Sequence, residues 1–479
     1  MRRRREYSAL HFDQFDRSAA DATARALTHA QQKESAMTNT ITMTGNSTGY
    51  GAATGAEVFS LSGYYNSVLL AGASDTVAIA GGEFDSIDLN ASGFTGSTTD
   101  SIDLGESAFN TITASHALFG ASVTIEGASG PNTVALVNHG GSTSIDLGDE
   151  GSALTQAGAV PPNMVTLNGD ATNAIEFSGT GDDVVSVGTA GDGFLTYGTS
   201  VALTGVLNHV TGGDEAFSIT GTSSMSTISL GNGNDSVSLV GTHEKLVLGT
   251  GNDTVTLAGN SSYLAFAKGG AGSTDTVQER GCGDTLIAGN ENVTIKGDPL
   301  SVGKITLGNG NDVLDVSGGG GRAVFGSSTA NTGTDQVTLG NGNANLTFNG
   351  GTASVMLEDY HGRSGADNVT LNGTMLGTTL TTMGVFDNVV LTQDANASIN
   401  DGAVNGGLDI AIEGDGHGGM GNVSIAGLAT DDLAHIQLVG LSAYTITPDS
   451  TPAGGVTLHF SEGSLDLIGI QSIPNNLFT

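Results

Sequence analysis

An acidic or small polar residue followed by two apolar residues at alternate positions recurs along most of the chain, as in Asp235-Ser-Val-Ser-Leu239 and Asp253-Thr-Val-Thr-Leu257. Alternation with period two places both apolar side chains on one face of a short strand. With the polar residue as a marker, Ser226, Asp235, Glu244, Asp253 and Ser262 follow one another at intervals of nine. Asp275 to Asp284, then Gly303, Asp312 and Gly321, then Asp335, Ala344 and Ala353 keep the same interval. Toward the N-terminus, Glu57, Asn66 and Asp75 also stand nine apart, and the spacing widens to ten or eleven through Asp100, Asn110, Ala121, Asn132 and Thr143. A unit of nine holds one strand and one turn and leaves no room for a crossover helix. Two units then close one coil, and coils stack with parallel strands about 4.8 Å apart. The pattern predicts an all-β fold, a parallel β-solenoid of the β-roll or β-helix kind with about 18 to 22 residues per coil. Val237, Leu239, Leu246, Leu248, Val255 and Leu257 are its predicted core. An antiparallel sandwich also has short strands and frequent turns, but nearly constant turn length over many units favours the solenoid.

Composition divides the chain. Residues 1–36 are polar with a basic start and no apolar h-region, which predicts a disordered or mis-assigned N-terminal extension and no Sec signal peptide. Residues 37–210 read as a degenerate solenoid with half-coils of nine to eleven residues, 211–395 as the regular nine-residue array, and 396–479 as a C-terminal cap. Glycine is abundant, with 75 of 479 residues, and tryptophan is absent, so the core must be a thin layer of Val, Ile and Leu. No apolar run is long enough to span a membrane. Cys282 is the single cysteine, so no intrachain disulfide forms.

The formal charge is -35, and from Met37 onward 44 acidic residues face only 7 basic ones. This excludes nucleic acid as a partner, since phosphate binding needs clustered Lys and Arg. It predicts a polyanionic body that attracts divalent cations and resists self-association until they bind.

Four turns have the form Gly-x-Gly-x-Asp: Gly179 to Asp183, Gly231 to Asp235, Gly249 to Asp253 and Gly308 to Asp312. They resemble the calcium-binding nonapeptide of the repeats-in-toxin (RTX) family, G-G-x-G-x-D-x-U-x, with the first glycine replaced by Ser178, Leu230, Leu248 and Leu307. The resemblance implies a calcium-binding β-roll of the type I secretion kind with degenerate repeats. The chemistry agrees: calcium takes six to eight oxygen ligands, glycine at positive φ turns carbonyls inward, and the Asp supplies charge. Asp235 and Asp253 lie one coil apart and repel without a cation. The leading candidate site is therefore formed by these two carboxylates with the carbonyls of Gly231, Gly233, Gly249 and Gly251. Asp312 with Asp335 is a second candidate, and Asp183 a third without an equivalent neighbour. A plain hydrogen-bonded turn accounts for the same residues without metal.

Other features carry less. His417 and His435 lack zinc spacing, and Cys282 has no partner that would make it a nucleophile. Glu358, Asp359, Tyr360, His361 and Arg363 mix the residue types that a polysaccharide lyase or epimerase on a β-helix would use, although a charged loop explains them equally. Thr250 and Asn252 resemble the turns of ice-binding RTX solenoids, but in one copy only. After Arg363 no Lys or Arg occurs, and the segment Gly454 to Thr479 resembles the uncleaved export region of type I secreted proteins. The expectation is an exported calcium-binding structural or adhesive solenoid of the surface-layer or biofilm type, non-catalytic, bacterial, located outside the cell or on its surface. Its expected partners are calcium and either a surface polysaccharide or further copies of itself; the alternative is the carbohydrate-active enzyme.

Overall fold

The computed structural model describes residues 39–473, apart from a series of connecting segments of which 90–97, 150–163, 188–197 and 358–366 are the longest. The extension 1–36, the turn ending at Asp183, the cluster Glu358 to Arg363 and the last residues 474–479 lie outside the described residues. The chain forms two compact units, Met1–Thr199 and Ser200–Thr479. Each is all-β, with parallel strands stacked into a solenoid of about 20 residues per turn. Among the described residues there is no α-helix, and no helix is long and apolar enough to cross a membrane.

Each coil contributes one strand to each of two sheets. In the second unit, Ser236–Leu239 pairs with Thr254–Leu257 and this with Thr274–Glu279 in the first sheet. Lys245–Leu248 pairs with Tyr263–Phe266 and this with Thr285–Ile287 in the second. Register follows the apolar pattern: Val237, Val255 and Val277 form one column, and Leu246, Leu264 and Leu286 another. All six predicted core residues are buried. A one-residue slip would turn every one of them to solvent, which is why register holds over so many short strands. Phe325 and Phe348, both fully buried, stack in the same way with centroids 4.6 Å apart.

The two corners of a coil use different backbone devices. Before the second-sheet strands stands a residue in the left-handed region: Tyr65, Phe84 and Phe109 in the first unit, and Leu207, Met225, His243, Ser261 and Gly283 in the second. Only glycine takes this conformation without cost; each L-residue pays about 1–2 kcal/mol. The exposed rings of Tyr65, Phe84 and Phe109 recover part of it by stacking at 5.1 and 5.0 Å. The turns before the first-sheet strands are rich in glycine for another reason. Gly231, Gly233, Gly249 and Gly251 are not among the positive-φ residues. A methyl group on Gly249 would overlap the carbonyl oxygen of Gly231, and one on Gly251 that of Gly233. The expectation of positive φ at these glycines is thus corrected: close stacking of one turn on the next, rather than backbone handedness, demands them.

The parallel register ends near the C-terminus. Ser464–Ile468 pairs parallel with Asn422–Ala426, but Gly455–His459 runs antiparallel to it, and Thr445–Pro448 antiparallel to that.

If turn stacking fixes the glycines, Gly251→Ala should lower the melting temperature by about 5 °C, an overpacking cost of about 1–3 kcal/mol. Ser238→Ala, on the outer face of the adjoining strand, should move it by about 1 °C or less. Equal shifts in thermal denaturation would contradict the close-approach account.

Candidate functional site

The amide of Asp235 lies just before its strand, where pairing between strands has not begun. Its N–H donates to Oδ1 of Asp253, one coil later, at 2.9 Å. Asp253 N–H donates in turn to Asp275 Oδ1 at 2.9 Å, and Phe217 N–H to Asp235 Oδ1 at 2.9 Å. The pattern repeats at many of the acidic and Asn markers. Asp312 accepts from Val293 and Asp335 from Asp312. On the other corner Glu244 accepts from Ser226, Asp284 from Ser262 and Asp367 from Ala344. In the first unit Glu57 donates to Asp75 and Asp75 to Asp100, while Asn66 donates to Asp85, Asp85 to Asn110 and Asn110 to Asn132. These side chains point inward: Asp235 is 2% exposed, Asp253 1% and Asp312 0%. A buried amide left bare costs about 1–3 kcal/mol, so each of these acceptors closes a gap that the strands cannot.

A second ladder runs outside the turns in the opposite sense. Thr250 N–H donates to Asn232 Oδ1, Asn252 N–H to Asn234 Oδ1 and Thr274 N–H to Asn252 Oδ1, at 2.8–3.0 Å. Cys282 donates to Asn260, Asn311 to Asn292 and Thr334 to Asn311 in the same way. Gly-Asn-Gly-Asn-Asp thereby acquires a residue-by-residue meaning: glycine for contact, asparagine for the outer ladder, aspartate for the inner one.

The inner ladder is electrostatically unfinished. Asp75, Asp85, Asp235, Asp253, Asp284 and Asp312 accept the amide with one oxygen and bury a second that has no hydrogen-bond partner. Burial, only partly offset by the amide hydrogen bonds, pushes Asp235 and Asp275 up to about 7, Asp312 to about 8 and Asp253 to about 6. Neighbouring carboxylates add to this: Asp253 and Glu215 act on Asp235, Glu291 on Asp253, Asp275 and Asp312, and Asp335 on Asp312. At least seventeen acidic residues are buried, from Glu57 to Asp401. The composition-based picture of a polyanionic surface is corrected accordingly, since much of the formal charge faces inward.

Of the predicted site residues, the structure brings Asp235 and Asp253 together, and likewise Asp312 and Asp335. The bare second oxygens of Asp235, Asp253 and Asp312 suit a cation. The carbonyls of Gly231 and Gly233 instead run along the stack against Gly249 and Gly251. Among the described residues no group of three or more His, Cys, Asp or Glu is disposed to hold a metal. The paired carboxylates of the expected site are therefore present, while its glycines serve coil stacking. Sequence reasoning missed Glu279, which stands in register with Leu257 but is a buried acid with both oxygens bare. Burial first, then the neighbouring Asp284, raises it strongly and favours its neutral form. A glutamate at an apolar position of the repeat was the available signal. The geometry defines a parallel β-solenoid ladder-bonded through its corners; no family model, curated protein or solved structure matches the chain.

These shifts have a sign. Acids that bind protons more tightly folded than unfolded, where Asp titrates near 4, favour the folded state fully below about pH 4 and lose that contribution as pH rises toward about 8. In chelator the melting temperature should therefore fall between pH 5 and pH 8; a flat profile would show that the ladder does not titrate there.

Substitution separates the ladder's charge from its hydrogen bond. Asp253→Asn keeps an acceptor, as Asn110 and Asn132 do naturally, and should melt higher than wild type at pH 8 in chelator. Asp253→Ala bares the Asp235 amide and should be about 1–3 kcal/mol less stable than the Asn variant, measured by urea denaturation.

Proposed function

We propose that the protein is an exported, non-catalytic structural solenoid of the surface-layer or matrix type whose stacking is completed when calcium neutralises paired aspartates. The observation that carries this reading is the row of buried carboxylates, in which Asp235, Asp253 and Asp312 each hold one oxygen on a backbone amide and keep the other bare. Burying an ionised carboxylate without a partner costs several kcal/mol, and a row of them destabilises the stack at neutral pH until a cation or a proton arrives. Calcium at the concentrations found outside cells supplies that neutralisation, with Asp235 and Asp253 as the first pair and Asp312 and Asp335 as the second. The RTX-like turns support the same reading, as does the absence of Lys and Arg after Arg363 for export. A scaffold needs repetition and long outer faces, and both come from the coil.

The test compares thermal unfolding in chelator and in millimolar calcium at pH 8 and at pH 5. Calcium should raise the melting temperature by several degrees at pH 8 and by little at pH 5, where protons already neutralise the ladder. The double variant Asp235→Asn/Asp253→Asn should lose most of the increment at pH 8 while remaining folded. Identical curves in chelator and calcium at pH 8 would remove the metal from this reading and leave the proton as the neutralising agent.

A further inference from the structure

Glu279 and Asp284 flank one corner of the second unit, Glu279 ending the first-sheet strand Thr274–Glu279 and Asp284 standing just before the second-sheet strand Thr285–Ile287. In the two preceding coils the place of Glu279 is held by Leu239 and Leu257, and in the following coil by Gly297. The place of Asp284 is held by Glu244 and Ser262 before it and by Gly303 after it. The following coil therefore brings no side chain to either acid.

Glu244 shows how an acid at this corner is satisfied by its own surroundings. Its Oε2 accepts from the Ser226 amide at 2.9 Å, and its Oε1 accepts from the Ser223 hydroxyl at 3.4 Å. At Asp284 the amide bond is kept, with Ser262 N–H donating to Oδ1 at 2.6 Å. The hydroxyl is gone, because Gly281 stacks on Gly259 where Gly241 stacks on Ser223. Four buried oxygens are then left at this corner without a hydrogen-bond partner: both of Glu279, Oδ2 of Asp284 and Oγ of Ser262. Glu279 is 5% exposed, Asp284 5% and Ser262 2%, so water does not complete them. Arg280, the basic residue next in the chain, is exposed.

Two agents can neutralise such a corner, and they differ in how much they satisfy. A proton shared between the two carboxyls makes one hydrogen bond, leaves one negative charge, and leaves the second oxygen of Glu279 and the Ser262 hydroxyl bare. A divalent cation balances both charges and offers a partner to all four oxygens. Burying a carboxylate or a hydroxyl without a partner is costly, which favours the cation. The donors are all oxygens, and Cys282 in the same corner is exposed, so zinc, which prefers nitrogen and sulfur, is a poor match. Magnesium requires a near-ideal octahedron and keeps its waters, whereas calcium accepts an irregular shell, a bidentate carboxylate and backbone carbonyls.

We propose that Glu279, Asp284 and Ser262 form a calcium site before the second-sheet strand, separate from the aspartate pairs before the first-sheet strands. It rests on the calcium reading for the supply of the ion, and it shares no residue with the pairs Asp235–Asp253 and Asp312–Asp335.

The experiment counts calcium ions bound per chain by equilibrium dialysis of the full protein at pH 8, with about 0.15 M salt to screen exposed carboxylates. Glu279→Leu restores the residue type of Leu239 and Leu257, and Asp284→Asn keeps an acceptor for the Ser262 amide. Each should bind one ion fewer than wild type, and the double variant also one fewer, because both residues serve the same ion. Glu279→Leu should melt higher than wild type in chelator and gain less from calcium. Thermal unfolding reports that each variant folds; should Glu279→Leu fail to fold, Glu279→Gln replaces it with the same expected loss of one ion. An unchanged count in Glu279→Leu or in Asp284→Asn overturns the site and leaves the shared proton. Loss of two ions in the double variant also overturns it, since the residues would then serve different ions. Asp235→Asn/Asp253→Asn, measured in parallel, should lose its own ion and keep this one. If that variant alone loses an ion, only the present inference fails; if it loses none while Glu279→Leu and Asp284→Asn lose one, only the aspartate-pair reading fails; a wild type that binds no calcium overturns both.

Discussion

At many corners of this solenoid an amide lies just outside the reach of strand pairing, and a side chain from the next coil closes it. That single bond sets most of the rest. Where it forms, it sets Asp, Asn or Glu with an inward side chain before the strand, it keeps coils one strand spacing apart, and it brings carboxylates into rows where their charges act on one another. The hydrophobic core alone would tolerate a slip of two residues, since the alternation of period two is preserved. The carboxylate-to-amide bond would not, because it would then aim at the wrong amide. Packing supplies the driving force, and the ladder supplies the register.

The ladder also has an electrostatic cost that packing cannot remove. Asn at the same position makes the hydrogen bond without charge, as Asn110 and Asn132 do, yet the chain uses Asp at 235, 253, 275, 312 and 335. A neutral ladder would be stable everywhere. An acidic one is stable only where something neutralises it, which makes the folded state conditional on its surroundings. The same logic applies to Glu279, which takes an apolar position of the repeat and whose carboxyl is raised by burial and by the neighbouring Asp284.

Much of the architecture was legible in the sequence because it depends on two periodicities that sequence states directly. The alternation of apolar residues placed Val237, Leu239, Leu246, Leu248, Val255 and Leu257 in the core, and the nine-residue marker located the coil corners from Glu57 to Asp335. The direction of the markers was not legible. An Asp after Gly-Asn-Gly-Asn reads equally well as an outward ligand or an inward cap, and only the position of the neighbouring amide decides. The reason for the turn glycines was hidden for a related cause: close approach involves a residue eighteen positions away, whereas handedness is local. Net charge misled most, because it counts carboxyls without regard to the side of the strand on which they lie.

The opposed senses of the two ladders give the stack an arrow. At the outer ladder an incoming coil brings the amides and finds the acceptors waiting, as Thr250 finds Asn232; at the inner ladder it brings the acceptor to an amide already in place, as Asp253 does for Asp235. The two ends of a run of coils are therefore chemically unlike. The leading end shows open amides inside and open side-chain oxygens outside, and the trailing end shows the reverse, so a coil added at one end cannot be exchanged for a coil added at the other. Elongation of such a structure is vectorial in the way a ratchet is, each turn locking its predecessor and preparing a seat for its successor. The antiparallel strands Gly455–His459 and Thr445–Pro448 reverse the chain at the end of that sequence and present no seat of the same kind.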